Sequence, residues 1–265
     1  MALEKLKFAK KGAKCPRCSS SDAFFGLIEN GNVSEIHGKC FSCGQFFPPK
    51  KQKEEYIYRF EKEQTPYQLN EVEFLGIKEH SRNFNNNFIN GLLKKDTGYV
   101  KILKKYNVVS FSDNVIGFPY ISENNEVRSI KKIEYNDDLH RNKENKFSIS
   151  WYHSCKTAEN EYFKYCFFGE NLISLNNYKY IGVVESEKTA IISSLFFPDI
   201  LFIATGSKST LSNLILLSSL KKKKVLLFPD ADGYKDWLKI SKEWGFPENW
   251  KFADICKRLT NKQDI

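Results

Sequence analysis

The chain has 265 residues, 41% of them hydrophobic, and its 41 Lys plus Arg exceed its 32 Asp plus Glu to give a formal net charge of +9. That length supports one large or two small domains with sizeable cores. It excludes a membrane-spanning helix, because no run reaches roughly 18 apolar residues and the stretch 191–205 is broken by Pro198 and Asp199.

At the N-terminus, Lys at positions 5, 7, 10, 11 and 14 leaves no apolar signal core. Seven cysteines without such a signal imply reduced thiols, and the expected compartment is the cytoplasm. A positive excess suits a polyanionic partner, although a genome that writes Lys and Asn freely produces part of it without one.

Four of the cysteines form two knuckles, Cys15-Pro-Arg-Cys18 and Cys40-Phe-Ser-Cys43. Two intervening residues let both thiolates of a knuckle bind one tetrahedral zinc, and a site with four thiolates is closed and structural. Between the knuckles, Phe24 to Ile28, a turn over Glu29 to Asn32, and Val33 to His37 read as a hairpin. The expected unit is a zinc ribbon over residues 1–47, with His37 outside the ligand set. Phe24, Phe25, Phe41, Phe46 and Phe47 lie among Lys14, Arg17 and Lys39; those not needed for the small core offer faces for unpaired bases. Cys155, Cys166 and Cys256 are isolated and read as small buried hydrophobes.

Residues 48–64 are polar and charged and read as a linker. A middle α+β region spans 65–177. Helical segments are expected at Glu71 to Gly76 and Val100 to Tyr106, with an irregular Asn-rich stretch at Asn83 to Asn87. Val115 to Ile121, the turn Ser122 to Glu126, and Val127 to Tyr135 make a second hairpin. Its second strand carries Arg128, Lys131 and Lys132, and Arg141, Lys143 and Lys146 follow. Such charges are ordinarily the solvated face of a half-buried sheet; in a chain with a polyanion partner they would grip phosphates.

From residue 178 to 265, strand and helix alternate. Strands are expected at Tyr180 to Val184, Ile200 to Ala204, Lys224 to Phe228 and near Lys251 to Ile255. Helices are expected at Glu187 to Phe196, Ser209 to Leu220 and Tyr234 to Trp244. This is the signature of a parallel sheet with helices on both faces. Thr205-Gly-Ser-Lys-Ser-Thr210 lacks the first Gly and the Gly-Lys dipeptide of a Walker loop, but Gly206 and Lys208 at a strand's carboxyl end suit a phosphate contact.

The apolar runs Ile181 to Val184 and Val225 to Phe228 lead directly into Glu185 and into Asp230-Ala-Asp232-Gly233. Buried parallel strands read as continuous apolar runs, and open α/β sheets bind ligands beyond the strands' carboxyl ends. The strand period of two sends Asp230 and Asp232 to one side. Two carboxylates 4 Å apart repel by about 4 kcal/mol at an effective dielectric of 20, so three converging acids point to a divalent metal. Simple capping by helix N-terminal acids fits Glu187, behind a Ser186 cap, better than it fits these three.

The order of these parts resembles the primases of the bacterial DnaG type and of phages, and most closely the small primase-like Toprim proteins of phages and other bacterial mobile elements. Val183-Val-Glu-Ser-Glu-Lys-Thr-Ala190 looks like the first Toprim motif, Ala204-Thr-Gly206 like the second, and Phe228-Pro-Asp-Ala-Asp-Gly233 like the Asp-x-Asp motif. Cys15-Pro-Arg-Cys18-Ser-Ser-Ser-Asp22 resembles the opening of phage primase zinc modules.

The fold class so implied is multidomain α+β and α/β: an N-terminal zinc β-ribbon, a mixed middle domain and a C-terminal Toprim-like parallel sheet. The resemblance implies a primase making primers on single-stranded DNA from ribonucleoside triphosphates during replication, with a replicative helicase as a partner in trans and no membrane. Glu185 would be the catalytic acid or base, Asp230 and Asp232 would hold magnesium with it, and Asp254 would be a further acid near the site. Thr189 stands where many Toprim sites have an acid. Rival readings are a Toprim nuclease or topoisomerase-like strand cleaver, and a non-catalytic zinc-ribbon DNA-binding accessory protein.

Overall fold

The computed structural model describes residues 8–9, 12–16, 22–29, 31–40, 46–47, 65–145, 147–155, 161–175, 178–207, 217–220, 222–230, 232–243 and 245–253. The chain divides into two compact units, one of residues 1–65 with 159–162 and one of residues 66–158 with 163–265. Cys18, Cys43, Lys146, Lys208 and Asp254 lie outside the described residues, as does most of the helix expected at Ser209 to Leu220.

The first unit is built on an antiparallel sheet of β1 (Phe24–Glu29), β2 (Asn32–Cys40) and β3 (Phe46–Phe47), in that order. Phe24 is its anchor. It lies opposite Cys40 in the β1–β2 register and exchanges backbone hydrogen bonds of 2.7 and 3.0 Å with Ala13. Phe47 meets its ring edge-on at 5.6 Å. Cys15, two residues beyond Ala13, is therefore carried to the same small core as Cys40, and both are buried there with Phe24.

The second unit begins with α1 (Glu71–His80), α2 (Asn87–Lys95) and α3 (Tyr99–Lys105). The Asn-rich stretch is irregular over residues 84–86, as expected, and leads directly into α2, a helix the sequence reading did not place. Asn86 is its N-cap, accepting from the backbone N–H groups of Phe88 and Ile89. The Asn86 amide also donates to the carbonyls of Ser112 and Val115, which explains why it is buried. Short polar side chains compete with the backbone inside helices but satisfy it at caps, so such a cluster can start a helix as readily as interrupt one. Phe88 and Leu92 of α2 are fully buried, each worth about 1.5–3 kcal/mol of burial.

An antiparallel sheet follows, ordered β4 (Val109–Ser110), β5 (Val115–Ile121), β6 (Val127–Glu134) and β7 (Ile149–Trp151). Its central hairpin is not half-solvated. Val127 and Ile130 pack with Phe74 and Leu69 on one side, while Ile116, Phe118, Tyr120 and Ile133 join the main core on the other.

The third sheet is parallel, ordered β9 (Ile200–Ala204), β8 (Tyr180–Val184), β10 (Val225–Phe228) and β11 (Trp250–Phe252). Helix α4 (Glu187–Phe196) follows β8 and α5 (Tyr234–Glu243) follows β10. Phe168 extends the sheet beyond β9 by exchanging hydrogen bonds of 3.0 and 3.1 Å with Ala204. The hydrophobic core is continuous from the hairpin residues Phe118 and Tyr120 to Val183, Ile203 and Trp237 of the α/β part. Residues on either side of position 178 thus build one core. Among the described residues, no helix is long and apolar enough to cross a membrane.

Candidate active site at the carboxyl ends of the parallel strands

Strand β8 pairs in parallel with both neighbours. Val184 stands opposite Ala204 of β9 and Phe228 of β10, so three carboxyl ends lie level. Beyond them come Glu185, Thr205-Gly206 and Pro229-Asp230. The backbone ties them together. Thr205 N–H donates to Val184 O at 3.0 Å and Gly206 N–H to Glu185 O at 2.9 Å.

Glu185 is only 7% exposed. Its Oε1 accepts from the Asp230 N–H at 3.3 Å, and a Cβ built on Gly233 would come within 2.0 Å of the same oxygen. A side chain at Gly233 would have to displace this carboxylate, which occupies the space the glycine leaves open. A turn bond from Gly233 N–H to Asp230 O, 2.9 Å, holds this seat. Asp230 and Asp232 are both exposed at the same loop. The structure thus brings Glu185 to the Asp230–Gly233 loop, with Asp230 and Asp232 on its solvent side.

No trio of His, Cys, Asp or Glu among the described residues is already gathered as a metal-binding group. The donor chemistry nevertheless suits a hard divalent cation such as magnesium, which takes carboxylate oxygens and keeps much of its water. The two exposed aspartates would supply the outer ligands beside the buried Glu185.

Glu187 is the site residue that sequence reasoning undervalued. Ser186 does cap α4, accepting from Thr189 N–H at 3.1 Å with its Oγ 2.7 Å from the Thr189 hydroxyl. Yet Glu187 is 1% exposed. Its Oε1 accepts from Lys131 Nζ at 2.9 Å and from the Tyr120 hydroxyl. Lys131 Nζ also donates to Gly206 O at 2.8 Å. Burial first, and the neighbouring Glu187 second, hold the Tyr120 phenol well above its ordinary range, so it stays a donor. Glu187, Ala190, Ile191 and Ser194 are all buried at a spacing of i, i+3, i+4 and i+7, a core-facing stripe that its two polar members conceal in the sequence.

Gly206 closes this network. Its φ is +71°, and a Cβ there would meet the Tyr120 hydroxyl at 2.1 Å. Only glycine satisfies both the left-handed backbone and that contact.

The hairpin cations are distributed differently from an exposed phosphate-gripping stripe. Lys131 is buried against Glu187. Arg128 is buried beside Glu126, with its Nη1 lacking a partner among the described residues. The physical reason is the double-sided burial of β6, which turns its charges inward and demands internal partners for them. Lys132 is half-buried with Nζ 5.3 Å over the Phe111 ring, and Arg141 is exposed. Cys166 is buried and its thiol is pushed well up, by burial first and then by Glu170, which makes it a poor nucleophile.

Several solved structures resemble this chain at low identity. The primase fragment of the bacteriophage T7 primase-helicase protein is 15% identical, with 93% of this chain and 90% of that one covered and a TM-score of 0.43. The Aquifex aeolicus primase, as its zinc-binding and RNA polymerase domains, is 12% identical, with 90% and 72% covered and a TM-score of 0.38. No curated protein matches the sequence. A family model does match, over residues 86–231, which takes in α2, the buried hairpin, Glu185, Glu187 and Asp230. The span exceeds half of the chain, and the protein belongs to the family described as Domain of unknown function (DUF6371).

Proposed function

We propose that this protein is a primase-type nucleotidyltransferase that builds primers on single-stranded DNA from ribonucleoside triphosphates, in the replication of a phage or mobile element. The observation that carries this reading is the seat of Glu185, buried at the level ends of adjacent parallel strands with its carboxylate on the Asp230 N–H. It is supported by the Toprim-like motifs around that seat. Glu187 has its carboxylate committed to Lys131 and Tyr120, which leaves Glu185 as the acid or base for the attacking 3′-hydroxyl.

Glu185, Asp230 and Asp232 would hold magnesium. That ion, when bound, neutralises and orients the triphosphate for in-line displacement. Lys132 and Arg141, together with Lys146 and Lys208 outside the described residues, would contact phosphates of template or substrate. Arg128 and Lys131 would act indirectly, by holding the hairpin and the Gly206 loop. A helicase would act in trans.

In the ribbon, Cys15, Cys18, Cys40 and Cys43 would bind one structural zinc. About one zinc per chain is expected by metal analysis, lost in Cys40→Ser while the second unit, with its own core, still unfolds cooperatively.

The deciding experiment incubates the protein with single-stranded DNA, magnesium and labelled ribonucleotides. Short labelled RNA products are expected. Template cleavage without synthesis would favour a strand cleaver instead, and binding alone would favour an accessory protein.

A further inference from the structure

The opposite end of the parallel sheet carries a second charged site. At the amino ends of β8, β9 and β10 lies a cleft of about 230 Å³ whose polar lining is Tyr178, Lys179, Tyr180, Lys222, Lys223 and Lys224. No carboxylate lines it among the described residues. Lys179, Lys222 and Lys224 are exposed, and the two tyrosines are half-buried.

The cleft is held in place by backbone bonds. Lys223 N–H donates to Leu220 O at 2.9 Å, Ile181 N–H to Lys224 O at 2.9 Å, and the Asn249 amide to Lys223 O. Lys105 of α3 covers the Tyr178 ring at 4.5 Å, and Lys179 lies 5.6 Å from the Tyr180 ring.

We propose that this cleft is a docking site for the sugar-phosphate backbone of a single-stranded nucleic acid. A lysine run is usually a solvated face, with each ammonium turned to water on its own. Here the exposed Lys179, Lys222 and Lys224 converge on one cleft with no acid among its described lining residues, and the positive potential they raise together draws a polyanion to it. The donors are exposed, flexible lysines without a nest of backbone N–H groups. That arrangement suits a long polyelectrolyte, bound through counterion release, better than a small anion, which needs buried, fixed donors. The tyrosines add faces on which a base can stack.

Ile181, the β8 lining residue nearest the carboxyl end, lies four residues from Glu185, roughly 13 Å at about 3.3 Å per residue. The cleft is thus a remote hold on the strand, outside the reaction centre. As the place where template or product is gripped, it rests on the nucleotidyltransferase reading; as a strand-binding site, it does not.

The test is binding of a labelled oligothymidylate, followed by fluorescence anisotropy over a potassium chloride series. Lys179→Ala, Lys222→Ala and Lys224→Ala together should reduce the slope of log affinity against log salt by roughly 2, at about 0.7 per lost contact on a single strand. The milder pair Lys222→Gln and Lys224→Gln should reduce it by roughly 1.4, by the same rule. Both should melt at the parental temperature. An unchanged slope in both variants overturns the proposal. So does an unchanged slope accompanied by weakened binding of a free nucleoside triphosphate, which would make the cleft a nucleotide site. A wild-type protein that makes no primers, but whose slope falls as stated in the variants, overturns the enzymatic reading and leaves this site standing.

Discussion

The two ends of one parallel sheet carry opposite charge, and they hold it by different means. At the carboxyl end, Glu185 is buried, seated on a backbone N–H and pressed against Gly233. At the amino end, Lys179, Lys222 and Lys224 stand exposed around an open cleft. One end is a fixed geometry that a single atom can spoil; the other is a field that weakens in proportion to the charges removed. The contrast teaches where chemistry and where mere attraction would reside. Reaction needs groups held to a fraction of an ångström, whereas capture of a polyanion needs only local charge.

The largest effect should come from the fixed end. Glu185→Gln keeps the shape of the side chain and creates no cavity, so folding should be retained while nucleotide transfer is abolished. A variant that still makes primers would remove Glu185 from the chemistry and dissolve the contrast between the ends.

Next in size is the loss of the buried pair behind the site. Lys131→Met leaves Glu187 without its cation in the interior, which costs about 3–5 kcal/mol for a buried pair broken on one side. Chemical denaturation would read this directly. Adding Glu187→Leu should recover much of the stability without recovering activity, because the Gly206 carbonyl would still lack its ammonium donor. If Lys131→Met melts like the parent, the network is not what holds the loop.

The smallest effect at this end should be magnesium linkage. A cation bound only by the folded protein stabilises it by about 2.7 kcal/mol at a hundred times its dissociation constant. The thermal midpoint of the parent should therefore rise with magnesium, and that of Asp230→Asn should not. An identical rise in both would place the ion elsewhere.

Much of the carboxyl end was legible in the sequence. The apolar runs at Ile181 to Val184 and Val225 to Phe228 occupy adjacent parallel strands, and the acids follow them directly. Such runs signal buried strands through composition alone. Charge placement on the hairpin was not legible, because alternation along β6 does not reveal that both of its faces are covered. Arg128 and Lys131 consequently looked like surface cations. Glu187 was hidden for a related reason: its partners Tyr120 and Lys131 lie far away in sequence, and local capping by Ser186 already accounted for an acid there. Helix α2 was missed although Asn86 caps it through the local Phe88 and Ile89 amides; the burial of that cap on the carbonyls of Ser112 and Val115 is what no local pattern encodes.

The bond between Lys131 and Glu187 spans 56 residues of chain, and the lysine leaves the ribosome first. At about 5–20 residues per second, roughly 3–11 seconds pass before its counterion is even synthesised. Burying the face that bears Lys131 before α4 arrives would strand a charge, so closure of that face is coupled to α4. The same side chain that fixes the Gly206 loop in the finished protein therefore couples the hairpin to the parallel sheet during folding.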